Sequence, residues 1–210
     1  VSRIPLGRMA EPHEMANALF FLASPGAAPL SGQALSVDGG SSVYGGSQPL
    51  PATQLGVLPW DTPLRLEVVG GDATPWQAIG HASASGPHHS ACLDVSAHHA
   101  APGTLLQAVQ SAATRFANRH TQQASLTLLL PAETPTDWPA AGDHAAARML
   151  VSTLACEWGS RALRINALVV PADVTPLALH PLLRYVCGAS AQFLTGQTIA
   201  CGRPRFGATA

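Results

Sequence analysis

Six potential metal ligands crowd one stretch of this chain: His88, His89, Cys92, Asp94, His98 and His99. Imidazole, thiolate and carboxylate together suit zinc, provided that three or four of them converge on one point. Adjacent histidines on an extended segment point to opposite faces, and no helical pair four residues apart is offered here. A surface loop accounts for the crowding, and no metal site is expected. Asp143 and Glu157 invite a reading as paired carboxylates for acid–base work. On one helix they would stand nearly four turns apart, so Glu157 is expected to face solvent or a neighbouring helix. The turn GGDATPWQAIG (Gly70 to Gly80) raises the question of a pyrophosphate site. Such a site needs closely spaced glycines, so that backbone N–H groups reach the phosphates. Here Gly80 is distant, Asp72 carries the same charge sign as phosphate, and Trp76 fills the gap. All 11 basic residues are arginine, so no step can use a lysine ammonium. The four tryptophans (Trp60, Trp76, Trp138, Trp158) have no basic stripe beside them and read as packing residues.

The composition sets what must position such groups. Of 210 residues, 47% are hydrophobic and 11% charged, enough apolar material for a substantial packed core. A net charge of −1 gives no electrostatic basis for nucleic-acid or anionic-membrane binding. The longest apolar runs, such as Leu126 to Leu130, are too short to span a bilayer. Four cysteines without a C-x-x-C pair read as buried thiols in a reducing compartment, so a cytoplasmic location is expected. The chain opens at Val1 in mid-element, and an upstream part is expected.

Glu11 and Pro12 suit a helix start, and Met15, Leu19 and Leu22 recur at helical spacing up to Pro25-Gly26. Gln33 to Val37 reads as a strand ending in Asp38-Gly39-Gly40. Residues 41–63 are rich in Gly, Ser, Pro and Thr and read as a linker or long loop. Strands are expected at Arg65–Val69, Ser90–Val95, Ser125–Leu130, Leu163–Val170 and Gln197–Cys201. Helices are expected at Thr104–Arg119 and Pro176–Val186. A further helix, capped by Asp143, should carry Ala146, Met149, Leu150, Leu154 and Trp158 on its inner face. Its small outer face, Ala147 and Val151, would suit a dimer contact. Short apolar strands alternating with helices predict an α/β, Rossmann-like three-layer fold with a mostly parallel sheet.

One pattern recurs. Placing Gly32 on Gly196, a shift of 164, also places Gln33 on Gln197, Leu30 on Leu194, Leu19 on Leu183, Leu22 on Val186 and Phe21 on Tyr185. The chain therefore reads as the tail of one unit joined to a related unit.

The segment RIPLGRMAEPHEMANALFFLASPGAAPLSGQALSVDGG resembles the C-terminal end of short-chain dehydrogenase/reductases, with its P-x-G-R stretch, P-x-E-x-A helix, Gly-Gln and V-D-G-G. A second stretch, AAARMLVSTLACEWGSRALRINALVVPADVTPL, resembles the family's active-site helix and the strand and loop after it. By that resemblance Arg164 and Asn166 match the strand's Arg and Asn. Pro171 matches the loop proline, Ala172 replaces its glycine, and Thr175 matches a threonine near the nicotinamide. Asp94-Val95 resembles an Asp-Val near the adenine. The resemblance thus implies NAD or NADP as cofactor, with Asp94, Asn166, Pro171 and Thr175 as its contacts.

The catalytic positions depart from the family. Its Tyr and Lys stand four residues apart, one helical turn, so that the ammonium can lower the phenol's pKa. Counting back from Leu154-Ala155 places Ala140 and His144 there. The usual serine is absent too, with Thr134 and Thr136 the nearest hydroxyls. No catalytic residue is therefore assigned. The expected organisation is the C-terminal end of one unit (1–40), a linker (41–63), and a degenerate second domain (64–210). The expected function is part of an NAD(P)-dependent short-chain oxidoreductase whose second unit is inactive. The alternatives are a non-catalytic pseudo-subunit or dimerisation module on an upstream enzyme, or a gene fragment. The partners expected are a second copy of the chain or an upstream unit packed within one polypeptide.

Overall fold

A computed structural model describes residues 1–80, 87–133 and 135–202. Five strands form one sheet in the order β1-β2-β3-β4-β5: Leu64–Val69, His89–Asp94, Ala124–Pro131, Arg164–Val170 and Thr198–Ala200. Every neighbouring pair is parallel, so each connection must cross a face of the sheet. Helices α2 (Leu105–Arg119) and α3 (Trp138–Trp158) cover one face. Helix α4 (Pro176–Cys187) covers the other, joined there by α1 (Pro12–Leu22). Alternation along β4 separates the two cores. Ile165, Ala167 and Val169 face α2 and α3, while Leu168 and Val170 face α4. The fold is the expected Rossmann-like α/β sandwich, and its sheet is wholly parallel among the described residues.

Local chemistry sets the helix ends. Helix α1 starts at a capping box in which Glu14 accepts from the Glu11 amide (2.8 Å), with Pro12 in the first turn. Arg8 closes on the buried Glu14 carboxylate through both terminal nitrogens (2.7 and 2.6 Å), which fixes the Gly7-Arg8 approach to the helix. Helix α3 begins earlier than expected. Asp137 caps it by accepting from the Ala140 amide. Asp143 caps a different helix, accepting from Leu105 N (2.7 Å) and Leu106 N (3.1 Å) at the start of α2.

Two helix faces and one strand differ from expectation. Helix α1 buries Glu14, Ala18 and Phe21, leaving Leu19 and Leu22 exposed. Helix α3 turns its small residues Ala147, Val151 and Ala155 to the sheet, and Met149 to solvent. Small side chains let the helix lie close on the strands, so they form the inner face and not a dimer face. Gln33–Val37 has no strand partner among the described residues, so it carries no ladder.

The 164-residue repeat is reproduced in three dimensions. Gly32 (φ +80°) and Gly196 (φ +77°) share the left-handed conformation. Pro12 and Pro176 both open helices. The bonds Ser24 N→Phe21 O and Ala27 N→Ser24 O recur as Gly188 N→Tyr185 O and Ala191 N→Gly188 O. The two copies also pack on each other reciprocally. Helix α1 lies on the turn at 189–191, and α4 lies on the turn at 25–30. Phe21 stacks on its equivalent Tyr185 at 4.2 Å and 5°. Gly39 N donates to Phe193 O (3.0 Å) and Gly202 N to Pro29 O (2.7 Å); Pro29 and Phe193 are repeat equivalents. An approximate two-fold axis therefore runs between α1 and α4. Residues 41–63 do not hang free: Leu50, Thr53, Gly56 and Leu58 are tied by hydrogen bonds to Ser2, Gly7, Gln123 and Gln192 respectively.

Candidate functional site

In parallel α/β sheets, ligands bind outside the carboxyl ends of the strands, where the strand order reverses. This order never reverses, so β1 is an edge strand and no such switch point exists among the described strands. The carboxyl ends do border a cavity of about 230 Å³, walled by Gly71, Trp76, Val95, Val170, Val174 and Leu179. Beside it, at the start of α3, lies a second cleft of about 440 Å³ with His98, Glu133, Thr136, Ala140 and His144 on its walls. His98 borders both and donates through Nε2 to the Val170 carbonyl (3.2 Å).

The turn after β1 is built for packing. Gly70 (φ +86°) lies against the Ser96 backbone so closely that a Cβ would stand 2.5 Å from the Ser96 Cβ. Between β1 and β2 the described residues hold one short 3-10 turn, Thr74–Trp76, and no α-helix. No helix N-terminus therefore points its amides at a phosphate there. Trp76 is buried in the space beyond Gly71. Asp72 bonds the Thr74 amide (2.9 Å), which lowers its carboxyl pKa and keeps it anionic at the cavity mouth. A cavity of 230 Å³ is below the size of ordinary small-ligand pockets. These residues do not fit the pyrophosphate of a dinucleotide.

The four residues matched to cofactor contacts are scattered. Asp94 is buried at the end of β2. Its carboxylate accepts from Arg115 (2.7 Å), from Ser96 N (3.0 Å) and from the Ser96 hydroxyl. Asn166 is buried in β4, facing the Gly-Gln loop. Its Nδ2 donates to Leu194 O (3.0 Å) and its Oδ1 accepts from Gln197 N (3.1 Å). Pro171 and Thr175 belong to the loop that borders the cavity, where their carbonyls accept from Val174 N and Ala178 N. The structure thus brings Pro171 and Thr175 to one place and leaves Asn166 elsewhere. Ala140 is buried and His144 half-buried on the wall of the second cleft. Thr134 lies outside the described residues.

The densest polar cluster lies at the opposite end of the sheet and centres on Arg164, the arginine of the resembling strand. Arg164, 2% exposed, donates to the carbonyls of Ala191 (2.8 Å), Gly188 (2.9 Å), Val186 (3.2 Å) and Leu194 (3.4 Å). It also donates to His89 Nε2 (3.1 Å). Burial lowers the guanidinium's pKa to about 10. Desolvation first, and the Arg164 charge second, push the His89 pKa down to about 3, so the imidazole is neutral. His89 is therefore a core residue of β2 and not part of a surface loop. Among the described residues no three metal-ligating side chains converge. Trp76 and Trp158 are packing residues, whereas Trp60 and Trp138 are exposed. No helix among the described residues is long and apolar enough to cross a membrane.

Residues 1–42 match the family model described as enoyl-(acyl carrier protein) reductase. A tropinone reductase homolog of Arabidopsis thaliana is 51% identical over 49 residues, covering 23% of this chain and 19% of the relative. A second from the same plant is 49% identical over 45 residues, 21% of this chain and 17% of the relative. The chain spans about a fifth of the length of these curated relatives. Over this opening segment the chain is similar to short-chain dehydrogenase/reductases.

Proposed function

We propose that the chain is part of an NAD(P)-dependent short-chain oxidoreductase in which residues 64–202 form a pseudo-subunit that transfers no hydride. The observation that carries this reading is Ala140 and His144 at the positions of the family's Tyr and Lys. Both border the cleft at the start of α3, and neither supplies a phenol for a proton relay. The turn after β1 supports the same reading, since Trp76, Asp72 and the Gly70–Ser96 contact occupy the place of a pyrophosphate. What the unit does instead is pack. Its α4 and the turn after it meet α1 and its turn reciprocally, as two subunits meet across a two-fold axis.

The test is titration calorimetry of the 210-residue chain with NADH and NADPH, alongside a carbonyl-reduction assay. The expected outcome is no binding heat at millimolar cofactor and no oxidation of NADPH above buffer. Saturable cofactor binding with turnover would refute the reading.

A further inference from the structure

The Arg164–His89 cluster is unbalanced in charge and in hydrogen bonding. Among the described residues Arg164 makes no ion pair, whereas Arg8 closes on Glu14, Arg115 on Asp94 and Arg119 on Glu67. Glu14 and Arg8 act on the Arg164 guanidinium with opposite signs and are spent on each other. Its charge is therefore met only by the partial charges of carbonyls. A buried charge left without a counter-charge is costly. The hydrogen-bond imbalance lies in His89. An arginine can only donate, so the Nε2 that meets Arg164 Nη2 at 3.1 Å is the unprotonated nitrogen. The Ser125 hydroxyl, 3.2 Å from the same nitrogen, gives its own hydrogen to Cys187 O (2.9 Å). The neutral ring therefore carries its hydrogen on Nδ1. That atom is buried and has no partner among the described residues. Orphaned buried donors are rare and call for an acceptor.

Arg164 and His89 border one cavity of about 20 Å³ at the amino end of the sheet, lined also by Arg8, Leu55, Leu58 and Gln192. Its size admits a single water-sized particle, and excludes sulfate, phosphate or a carboxylate ligand. A water would need acceptors for its two hydrogens, and the acceptors at hand are engaged. Leu58 O takes Gln192 Nε2 (2.6 Å), Gly56 O takes Gln123 Nε2 (2.9 Å) and Gln192 Oε1 takes Leu58 N (2.9 Å). What the walls offer instead is a donor and a positive charge. We infer that this cavity is a binding site for one halide ion such as chloride, which accepts the His89 Nδ1–H and neutralises Arg164. The ion lies against Leu55 and Leu58, so it ties the 55–58 segment to the starts of β2 and β4. This goes beyond the pseudo-subunit reading and stands apart from it, since the site lies at the opposite end of the sheet from Ala140 and His144.

The experiment melts the whole chain in mixtures of sodium gluconate with sodium chloride or sodium bromide at one ionic strength, and locates bromide by anomalous diffraction from its crystals. Tm should rise saturably with either halide, by about 3–5 °C at about ten times the half-saturating concentration. Gluconate is too large for the cavity and supplies the baseline. The anomalous peak is expected within hydrogen-bond reach of His89 Nδ1, and deuterium exchange at the Leu58 amide should slow with chloride. Gln192→Glu places a carboxylate on the cavity wall and keeps an acceptor for Leu58 N. It should abolish the halide response while its Tm without halide stays at or above that of wild type. A Tm indifferent to halide would overturn the inference and leave a water as the occupant. So would a rise that never saturates and persists in Gln192→Glu, or bromide found only on the outer surface. Halide binding by a chain that also oxidises NADPH would refute the pseudo-subunit reading alone, and an inert chain indifferent to halide would refute the ion site alone.

Discussion

Replacing Arg164 with Met tests whether the buried guanidinium holds the second copy together. The substitution keeps length and apolar bulk but removes the charge and every donor. Two of the bonds, to Ala191 O (2.8 Å) and Gly188 O (2.9 Å), are short enough to count in full. Both carbonyls close the turn after α4, in a region where water does not reach. Orphaning a buried acceptor costs about 1–3 kcal/mol, and a hydrogen bond to a charged group contributes about 1.5–3 kcal/mol. Against this stands the desolvation of a cation with no carboxylate partner, which Met would relieve. The α4 C-terminus offsets part of that cost, because its carbonyl end carries partial negative charge. The balance predicts a loss of about 3 kcal/mol. In urea, with a slope of about 2 kcal/mol per molar, the midpoint should fall by roughly 1.5 M. Fluorescence of the buried Trp76 and Trp158 is one probe, and far-ultraviolet circular dichroism is the second. A loss below about 1 kcal/mol would refute the reasoning, since relief of desolvation would then equal the bonds.

Three further outcomes follow from the same geometry. His89 has its folded pKa held at about 3, well below the ordinary 6.5, so stability is complete above pH 6.5 and falls as the unfolded chain takes up a proton below it. The limiting slope is about 1.4 kcal/mol per pH unit, and His89→Gln should flatten it between pH 6 and 4 in acid-unfolding curves. Asp143→Ala should cost about 1–2 kcal/mol by uncapping α2 across the helix pair, and Asp143→Asn should recover part of it by thermal melts. Burial pushes the thiols of Cys92, Cys187 and Cys201 up to about 12, 11 and 12 respectively. An aromatic disulfide reagent at pH 8 should therefore label the half-buried Cys156 first and the other three at the rate of unfolding.

Strand and helix positions in residues 64–201 were legible because each is a short apolar run or a periodic face. Leu105, Val109, Ala112 and Phe116 are buried as their spacing requires. Faces were less legible where size and hydrophobicity disagree. On α3 the expected inner face holds at Trp158, with Leu150 and Leu154 packed at its margin, but small Ala147, Val151 and Ala155 form its centre and Met149 faces solvent. On α1 the expected face was Met15, Leu19 and Leu22, and the observed face is one step round the helix. There the packing partner is the other repeat copy, which a single helix's periodicity cannot specify. Asp143 was legible as a cap but not whose cap, since that depends on two helices meeting. The Arg164–His89 cluster was illegible, because it joins positions 75 residues apart through carbonyls that carry no sequence signal.

The acidic-glycine finish of the first copy has a local role that Gly202, the equivalent of Asp38, has no side chain to play. Asp38 accepts from Gly40 N (3.0 Å) and Ser42 N (2.7 Å), capping the turn that leads the chain away from the first copy. At the corresponding end of the second copy, Gly202 N is bonded to Pro29 O. Both finishes rest on the sister copy, Gly39 N on Phe193 O and Gly202 N on Pro29 O, and the first adds the Asp38 turn. Arg164 and Asn166 likewise serve packing. Matched by resemblance to a cofactor-binding strand, they staple that strand to the helix and loop beside it, without reaching the cavity at the carboxyl edge. A sheet of this kind needs such staples whether or not it turns over a substrate. Proton relay and pyrophosphate binding, by contrast, each depend on a few groups that no packing contact replaces. The motif residues Arg164 and Asn166 serve the first requirement, and the proposed pseudo-subunit reading places Ala140, His144 and Trp76 where the second would be met.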